Sequence, residues 1–449
     1  MNFMVLNMKR DIDNDLIKWK KSQRRKPLII RGARQVGKTW SIKEFGKQQF
    51  KNTVIIDFER NKEFSSVFDS NLDPKTIIET IEILKGEKIK EGATLLFFDE
   101  IQNTPKAIMA LRYFYEEMPN LHVIAAGSLI EFALSTISFP VGRIQYLKMH
   151  PLTFSEFLIA ISQDNLAEII NNKPKVLHEL IHNKLLDYLK KYFFIGGMPE
   201  AVKTFIKFNS MEEVFNVHNE LIYSFRDDFS KYGVHTNKEA LDEVFYSIPK
   251  NIGNQIKYSK LSQNFTSPTI KKIFNLFQKA EIIKKIPSVS NLGIPLKSHI
   301  SEKKFKALFL DIGLWQNTSG VSIANEYKNT NLMNLYQGNL AEQYIGQELY
   351  KLFDENLLYW VREKKGSSSE LDYLINTNNC NYPIEVKSGK SGSLKSLHIF
   401  LNTYKDNNLN PIVFSTRNYS ELKEKDGIFY FIPLYYVSGF KNWADNLHC

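Results

Sequence analysis

Lys26-Pro27-Leu28-Ile29-Ile30-Arg31-Gly32-Ala33-Arg34-Gln35-Val36-Gly37-Lys38-Thr39 is a short apolar run that feeds into a glycine-bounded turn, and the helical run Ile42-Lys43-Glu44-Phe45-Gly46 follows it. The turn has the form G-x-x-x-x-G-K-[ST]. Gly32 and Gly37 let backbone N–H groups curl round a phosphate chain, Lys38 reaches the terminal phosphates, and the Thr39 hydroxyl suits Mg²⁺. The first turn of a helix favours an anion there. The whole loop, Gly32, Ala33, Arg34, Gln35, Val36, Gly37, Lys38 and Thr39, is therefore the expected nucleotide cradle.

A matching acid segment lies downstream. Thr94-Leu95-Leu96-Phe97-Phe98-Asp99-Glu100 reads as a buried strand ending in two carboxylates. Asp99 then holds Mg²⁺ through water, and Glu100 orients or deprotonates an attacking water. Two solvated acids at a strand end are the alternative for this pair in isolation.

Around these two segments, strands alternate with helices. Thr53 to Phe58 is a β-branched strand; Asp73-Pro74 caps a helix with Ile77, Ile78, Ile81 and Leu84 at helical spacing; Ala107 to Met118 is amphipathic. Leu121 to Ala126 is a further strand ending in Gly127-Ser128, and Ile144 to Met149 is the last. Alternation of this kind gives a parallel sheet, so the fold class is α/β. Ser128 falls at the tip of a strand beside the loop and acid strands, where it senses a terminal phosphate or simply closes a turn. Arg143, after Pro140-Val141-Gly142, is a candidate finger for nucleotide on a neighbouring subunit, which implies a homo-oligomer, or else a surface arginine.

Composition bounds the rest. With 449 residues, 43% hydrophobic and 24% charged, the chain suits two to four ordinary globular domains. A net charge of +10 favours polyanionic partners. Two cysteines, Cys380 and Cys449, are too few for a disulfide framework or a zinc site, and no apolar run reaches membrane-spanning length. The expectation is a cytoplasmic protein without a membrane segment.

From Pro151 to about Tyr232 the pattern is helical, read as a lid on the nucleotide site, with Gly196-Gly197-Met198-Pro199-Glu200 as a turn within it. Three helical stretches between Lys238 and Lys279, followed by strands at Ile283 to Pro287 and Lys304 to Leu310, read as a winged helix. Lys271 and Lys272 then face outward, where DNA phosphates are met, although such modules also dock proteins.

The last hundred residues change character. A helix carrying Glu342 precedes strands Leu358 to Val361, Leu371 to Ile375 and Pro383 to Lys387, with a polar turn at Gly366 to Ser369. Glu385 and Lys387 share one strand face, and Asp372 joins them if its strand is adjacent. Two carboxylates and a lysine on one face form a divalent-metal site, or a surface ion-pair cluster.

Taken in order, Gly32 to Thr39, Ala126-Gly127-Ser128-Leu129-Ile130-Glu131-Phe132, Phe139-Pro140-Val141-Gly142-Arg143, Pro151-Leu152-Thr153-Phe154-Ser155-Glu156-Phe157, Gly196-Gly197-Met198-Pro199, Arg226-Asp227-Asp228-Phe229-Ser230-Lys231-Tyr232, Asp311-Ile312-Gly313-Leu314 and Glu385-Val386-Lys387-Ser388-Gly389 resemble the signatures of prokaryotic AAA-type P-loop ATPases that carry a C-terminal restriction-endonuclease-like domain of unknown function. The resemblance spans essentially the whole chain. It implies an AAA-type core over 1–150, a helical lid over 151–235, a winged helix over 236–325 and a domain of the PD-(D/E)xK fold over 326–449. It implies ATP and Mg²⁺ at Lys38, Thr39 and Asp99, hydrolysis through Glu100, and sensor and finger roles for Ser128 and Arg143. In the terminal domain it implies metal ligation by Glu342, Asp372 and Glu385, with Lys387 as the catalytic lysine. One position departs from the pattern: Glu370 stands where the eponymous proline is expected.

Two functions follow as expectations. One is a Mg-dependent ATPase that couples nucleotide state to a nuclease-like module directed at DNA. The other is a nucleotide-gated switch binding DNA or protein, whose terminal domain cuts nothing. A P-loop kinase is disfavoured by the Asp99-Glu100 pair.

Overall fold

The computed structural model describes residues 8–134, 142–232, 237–292, 296–319, 337–362, 369–387, 393–405, 407–425 and 427–447. Phe139-Pro140-Val141, Gly366 to Ser368, Ser388-Gly389 and Cys449 lie outside them, as does the expected boundary between 325 and 326. The chain forms two compact units. One is Met8–Pro151 with Lys279–Glu281; the other is Leu152–Gln278 with the described residues from Ile282 onward.

The first unit is a parallel α/β sheet of β1 (Leu28–Arg31), β2 (Asn52–Asp57), β3 (Thr94–Asp99), β4 (His122–Ala126) and β5 (Gln145–Lys148), in the order β2-β3-β4-β1-β5. Every residue of β3 and β4 is buried, as expected of central strands covered on both faces. The helix Pro74–Lys85 starts where its sequence says: the Asp73 carboxylate accepts the Thr76 N–H at 2.8 Å, and Pro74 takes the first turn. Its Ile77, Ile78 and Ile81 join Val54, Ile56, Leu96 and Phe98 in one core. Because all five strands run parallel, the loop after β1, the acids ending β3 and Ser128 after β4 gather at one edge of the sheet. In open α/β sheets that carboxyl edge is where ligands bind.

The second unit carries an eight-stranded mixed sheet. Its strands are β6 (Ile283–Val289), β7 (Ile300–Phe309), β8 (Leu358–Val361), β9 (Glu370–Thr377), β10 (Cys380–Val386), β11 (Ile412–Ser415), β12 (Ser420–Glu424) and β13 (Gly427–Pro433), ordered β12-β13-β11-β10-β9-β8-β6-β7. The helices Lys238–Lys250, Tyr258–Leu261 and Ser267–Lys279 are followed by the antiparallel β6–β7 hairpin, the segment expected as the wing of a winged helix. The hairpin is not a free wing, however. β6 also pairs in parallel with β8, Ser288 opposite Tyr359 and Val289 opposite Trp360, so the hairpin continues the C-terminal sheet.

The helices from Phe154 to Tyr232, expected as a lid, belong to this same unit. Three sequence signatures interlock there. Asp311 is fully buried and caps the helix Ile312–Thr318, accepting the N–H groups of Gly313 at 3.0 Å, Leu314 at 3.1 Å and Gly197 at 2.6 Å. Gly196 has φ +67°, and a Cβ there would meet the Asp311 carboxylate at 2.1 Å; a Cβ on Gly197 would meet the Leu152 carbonyl oxygen at 2.0 Å. Thr153 and Glu156 form a capping box, and Glu156 pairs with Lys351 at 3.2 Å. Glu348 accepts the Phe154 N–H at 3.0 Å, so the helix Gln337–Phe353 is tied to the start of the helical segment at two points.

Candidate functional site

Where β1 ends, the chain enters the loop with Gly32 at φ 153°, Gln35 at φ 64° and Gly37 at φ 100°, left-handed conformations that let successive N–H groups face one concavity. Gly32 has no alternative: an added Cβ would sit 2.2 Å from the Met149 carbonyl oxygen. Gly37 is the N-cap of the helix Lys38–Gln49. Val36 is buried, and its carbonyl accepts Arg10 Nη1 at 3.1 Å while Arg10 Nη2 donates to the His150 carbonyl at 2.7 Å. Arg10 thus clamps the loop to the chain just past β5. Nothing in its local sequence distinguishes it from the basic residues around it. Arg34 lies 3.9 Å from Glu59.

Lys38 is buried, and its Nζ donates to the carbonyls of Gly32 at 2.9 Å and Ala33 at 2.8 Å. Burial pulls this ammonium down to about 8, while Glu100 and Asp99 act to hold it up. Thr39 Oγ1 donates to Asp99 Oδ1 at 3.1 Å, so the hydroxyl from the loop helix and the carboxylate from β3 meet. Burial pushes Asp99 up to about 6 against the Thr39 hydrogen bond. Among the described residues no ammonium or guanidinium pairs with Asp99. Hard oxygen donors around a buried, uncompensated carboxylate suit Mg²⁺.

Glu100 stands in the left-handed region at φ 50°, a strained position for a non-glycine residue, and its N–H donates to Asp99 Oδ1 at 3.2 Å. Its carboxylate accepts Gln102 Nε2 at 2.5 Å. Gln102 is packed by Gly127, where any Cβ would lie 2.0 Å from its Oε1. The only sequence signal for Gln102 is its place two residues after the acid pair. Ser128 is buried directly after β4.

Arg143 sits elsewhere. It precedes β5, whose Gln145 pairs with Leu28 at the start of β1, so it lies at the opposite edge of the sheet from the loop that follows Arg31. Its Nε pairs with Glu116 at 3.1 Å, which also takes Arg112 at 3.0 Å.

In the second unit the residues singled out for a metal do come close together, but around a lysine. Lys306 on β7, absent from the sequence-based site, places Nζ 2.9 Å from Glu342, 3.1 Å from Glu370 and 3.7 Å from Asp372. Its side chain is only 2% exposed. Burial would lower its pKa, but Glu342, Asp372 and Glu370 together hold it above the ordinary lysine value. Asp372 Oδ2 also accepts the Val386 N–H at 2.7 Å, which locks β9 to β10. Glu385 and Lys387 share a face as the strand period requires, 2.6 Å apart. Burial, then the Asp372 charge, push Glu385 up to about 7. Among the described residues no group of three or more His, Cys, Asp or Glu side chains is arranged to hold a metal ion. Glu342 and Asp372 thus both face Lys306, and Glu385 faces Lys387.

Residues 24–158 match the model of a family described as an AAA domain. Residues 186–324 and 337–437 match two families described as domains of unknown function, DUF8612 and DUF4143. A protein of Haemophilus influenzae, described as uncharacterized, is 25% identical over 322 residues, 66% of this chain and 70% of its own length. Among solved structures, the Aeropyrum pernix ORC1 protein in complex with DNA is similar at 11% identity and TM-score 0.30, with 69% of this chain and 90% of that one covered. AMPPCP-bound DnaA from Aquifex aeolicus is similar at 12% identity and TM-score 0.25, covering 60% and 86%. Among the described residues no helix is long and apolar enough to cross a membrane.

Proposed function

We propose that the first unit binds ATP with Mg²⁺ and hydrolyses it. The contact between Thr39 and Asp99 carries this reading, since it brings the loop hydroxyl and the strand carboxylate to one point beside Lys38. Thr39 and Asp99 would hold Mg²⁺, which would supply positive charge against the phosphates. Lys38 exchanges its two carbonyl partners for phosphate oxygens, and Thr39 and Asp99 supply the hard oxygens. Glu100 holds the attacking water once its carboxylate leaves Gln102, and Ser128 lies at the same edge of the sheet to meet the terminal phosphate. Arg143, five residues before the Lys148 that pairs with Arg31 and so roughly 16 Å back along the sheet from the loop, serves only a neighbour's nucleotide, which makes the active form a homo-oligomer. Steady-state phosphate release tests this: turnover per chain rises with protein concentration in the wild type, and Arg143→Ala binds ATP but loses that rise. A turnover independent of concentration removes the finger role, and no Mg-dependent turnover under any condition removes the whole reading.

For the second unit, the switch reading is favoured over the cutting one by the position of Lys306 among the acids. Its partner is proposed to be DNA, met by Lys271 and Lys272, which are exposed on the helix Ser267–Lys279 while Ile270, Ile273, Phe274 and Phe277 are buried. Binding that weakens steeply with salt and more weakly after Lys271→Ala/Lys272→Ala supports this. Mg²⁺- or Mn²⁺-dependent nicking that vanishes in Asp372→Ala and Lys387→Ala restores the cutting reading.

A further inference from the structure

Lys306 raises a question that neither reading answers: what balances the acids of the C-terminal sheet. Glu342 comes from the helix Gln337–Phe353, Glu370 and Asp372 from β9, and Glu385 from β10. All of these except Glu370 are at least largely buried, and Glu342 and Glu385 are each only 8% exposed. Buried carboxylates of like charge demand a cation or protons. In sites built for a divalent metal, the metal itself supplies that charge through several oxygen ligands.

Here the cation comes from the chain. β7 lies two strands beyond β8 in the sheet, and Lys306 reaches from it past the Tyr359 ring, 5.3 Å from Nζ to centroid, into the carboxylates. Its Nζ touches Glu342 and Glu370 and stands within 3.7 Å of Asp372. Three of the four acids therefore face one ammonium. The fourth, Glu385, faces a second, Lys387. Glu385 Oε2 is buried without a hydrogen-bond partner among the described residues, while Glu342 Oε1, Glu370 Oε1 and Asp372 Oδ1 all face the Lys306 ammonium. A dication between Glu342 and Asp372 would have to share that space with the ammonium or expel it, and a side chain 2% exposed has no solvent-facing position to fall back on without opening the β6–β7 hairpin.

We infer that Lys306 is the resident cation of the C-terminal carboxylate cluster, so that this sheet binds no divalent metal and is instead latched by the lysine to the β6–β7 hairpin. The inference deepens the switch reading of the second unit and rests on it. It also gives the hairpin a role: the strand that completes the helical module is the one that carries the latch.

The test is Mn²⁺ titration of the full-length chain without nucleotide, followed by the electron paramagnetic resonance signal of free Mn²⁺. Asp99→Asn is used throughout to remove the Mg²⁺ ligand of the first unit. With Lys306 intact, no stoichiometric loss of free Mn²⁺ is expected at about 0.1 mM metal. Capture of one Mn²⁺ per chain, abolished by adding Asp372→Asn, overturns the inference. With Lys306→Met added, one Mn²⁺ per chain is expected to bind at least about tenfold more tightly and to raise the melting temperature. A folded Lys306→Met chain that captures no Mn²⁺ also overturns it. If Lys306→Met does not fold, the intact-lysine titration decides alone. ATP turnover is measured separately with Mg-ATP on the Asp99-containing chain, so a failure of the ATPase reading leaves this result untouched.

Discussion

Among the described residues a buried lysine lies near carboxylates both at Lys38 in the first unit and at Lys306 in the second, and the two places are built in opposite ways. In the first unit Lys38 bonds to two backbone carbonyls of its own loop, and Asp99 is left with hydroxyl and amide partners only. In the second, Lys306 stands among Glu342, Glu370 and Asp372. Separation leaves the ammonium and the carboxylate without a direct ion pair, ready for a phosphate on one side and a metal on the other. Contact cancels them. The same residue types thus give a site that waits for a ligand and a site that supplies its own, and what separates them is whether the ammonium is held by backbone carbonyls or by the carboxylates themselves.

The largest effect that separates the two comes from removing each lysine. Lys38→Ala is expected to weaken Mg-ATP binding by at least about 100-fold, because it removes the ammonium that lies inside the loop against Gly32 and Ala33, while leaving the folded state intact. Isothermal calorimetry with equal affinity for wild type and variant would sink the ligand-waiting half of the comparison. Next in size, Glu100→Gln keeps ATP affinity and lowers turnover by about 10²–10³-fold, since the base is lost but the loop is not. A Glu100→Gln enzyme that turns over normally would make Glu100 a turn residue, held at φ 50° for packing alone.

Lys306→Met moves the other quantity. Leaving Glu342, Glu370 and Asp372 without their shared cation is expected to cost about 3–5 kcal/mol in urea unfolding, with ATP affinity unchanged. A Lys306→Met chain as stable as wild type would show that solvent, not the lysine, balances those acids.

How much of this is legible in the sequence depends on how local the signal is. The loop Gly32 to Thr39, the cap at Asp73-Pro74 and the apolar strand to Asp99 announce themselves because turn chemistry and periodicity act over a few residues. The parallel first sheet follows from their alternation. Lys306 does not: within Ile300 to Phe309 it is one of several charged residues on a strand, and its burial depends on pairing β6 with β8 across some seventy residues of chain. The same long-range pairing fused the expected wing to the terminal sheet. Gly196, Gly197 and Asp311 were legible as motifs but not as one packed knot, since only the fold brings Leu152, the two glycines and the Ile312–Thr318 cap into contact.

The smallest effect tests the charge state of the waiting site. Asp99 has an ordinary carboxyl value in the unfolded chain, and burial lifts it to about 6 in the folded one. The folded state therefore binds this proton more readily, so Asp99 destabilises the fold above about pH 6, and that cost fades as pH falls toward the unfolded value. Asn cannot ionise, yet its Oδ1 still accepts the Thr39 hydroxyl. Asp99→Asn is thus expected to stabilise the nucleotide-free protein by roughly 3 kcal/mol at pH 7.5 and by well under about 1 kcal/mol near pH 4. Mg-ATP binding runs the other way, because the metal needs the ionised carboxylate: wild-type affinity should drop about tenfold between pH 7 and pH 5 beyond the change that ATP protonation alone produces. Thermal melts of the two chains from pH 4 to 8 measure the first, and calorimetry measures the second. A stability difference that stays flat across that range would mean that a cation inside the protein already neutralises Asp99, and the contrast between the two acid sites would collapse.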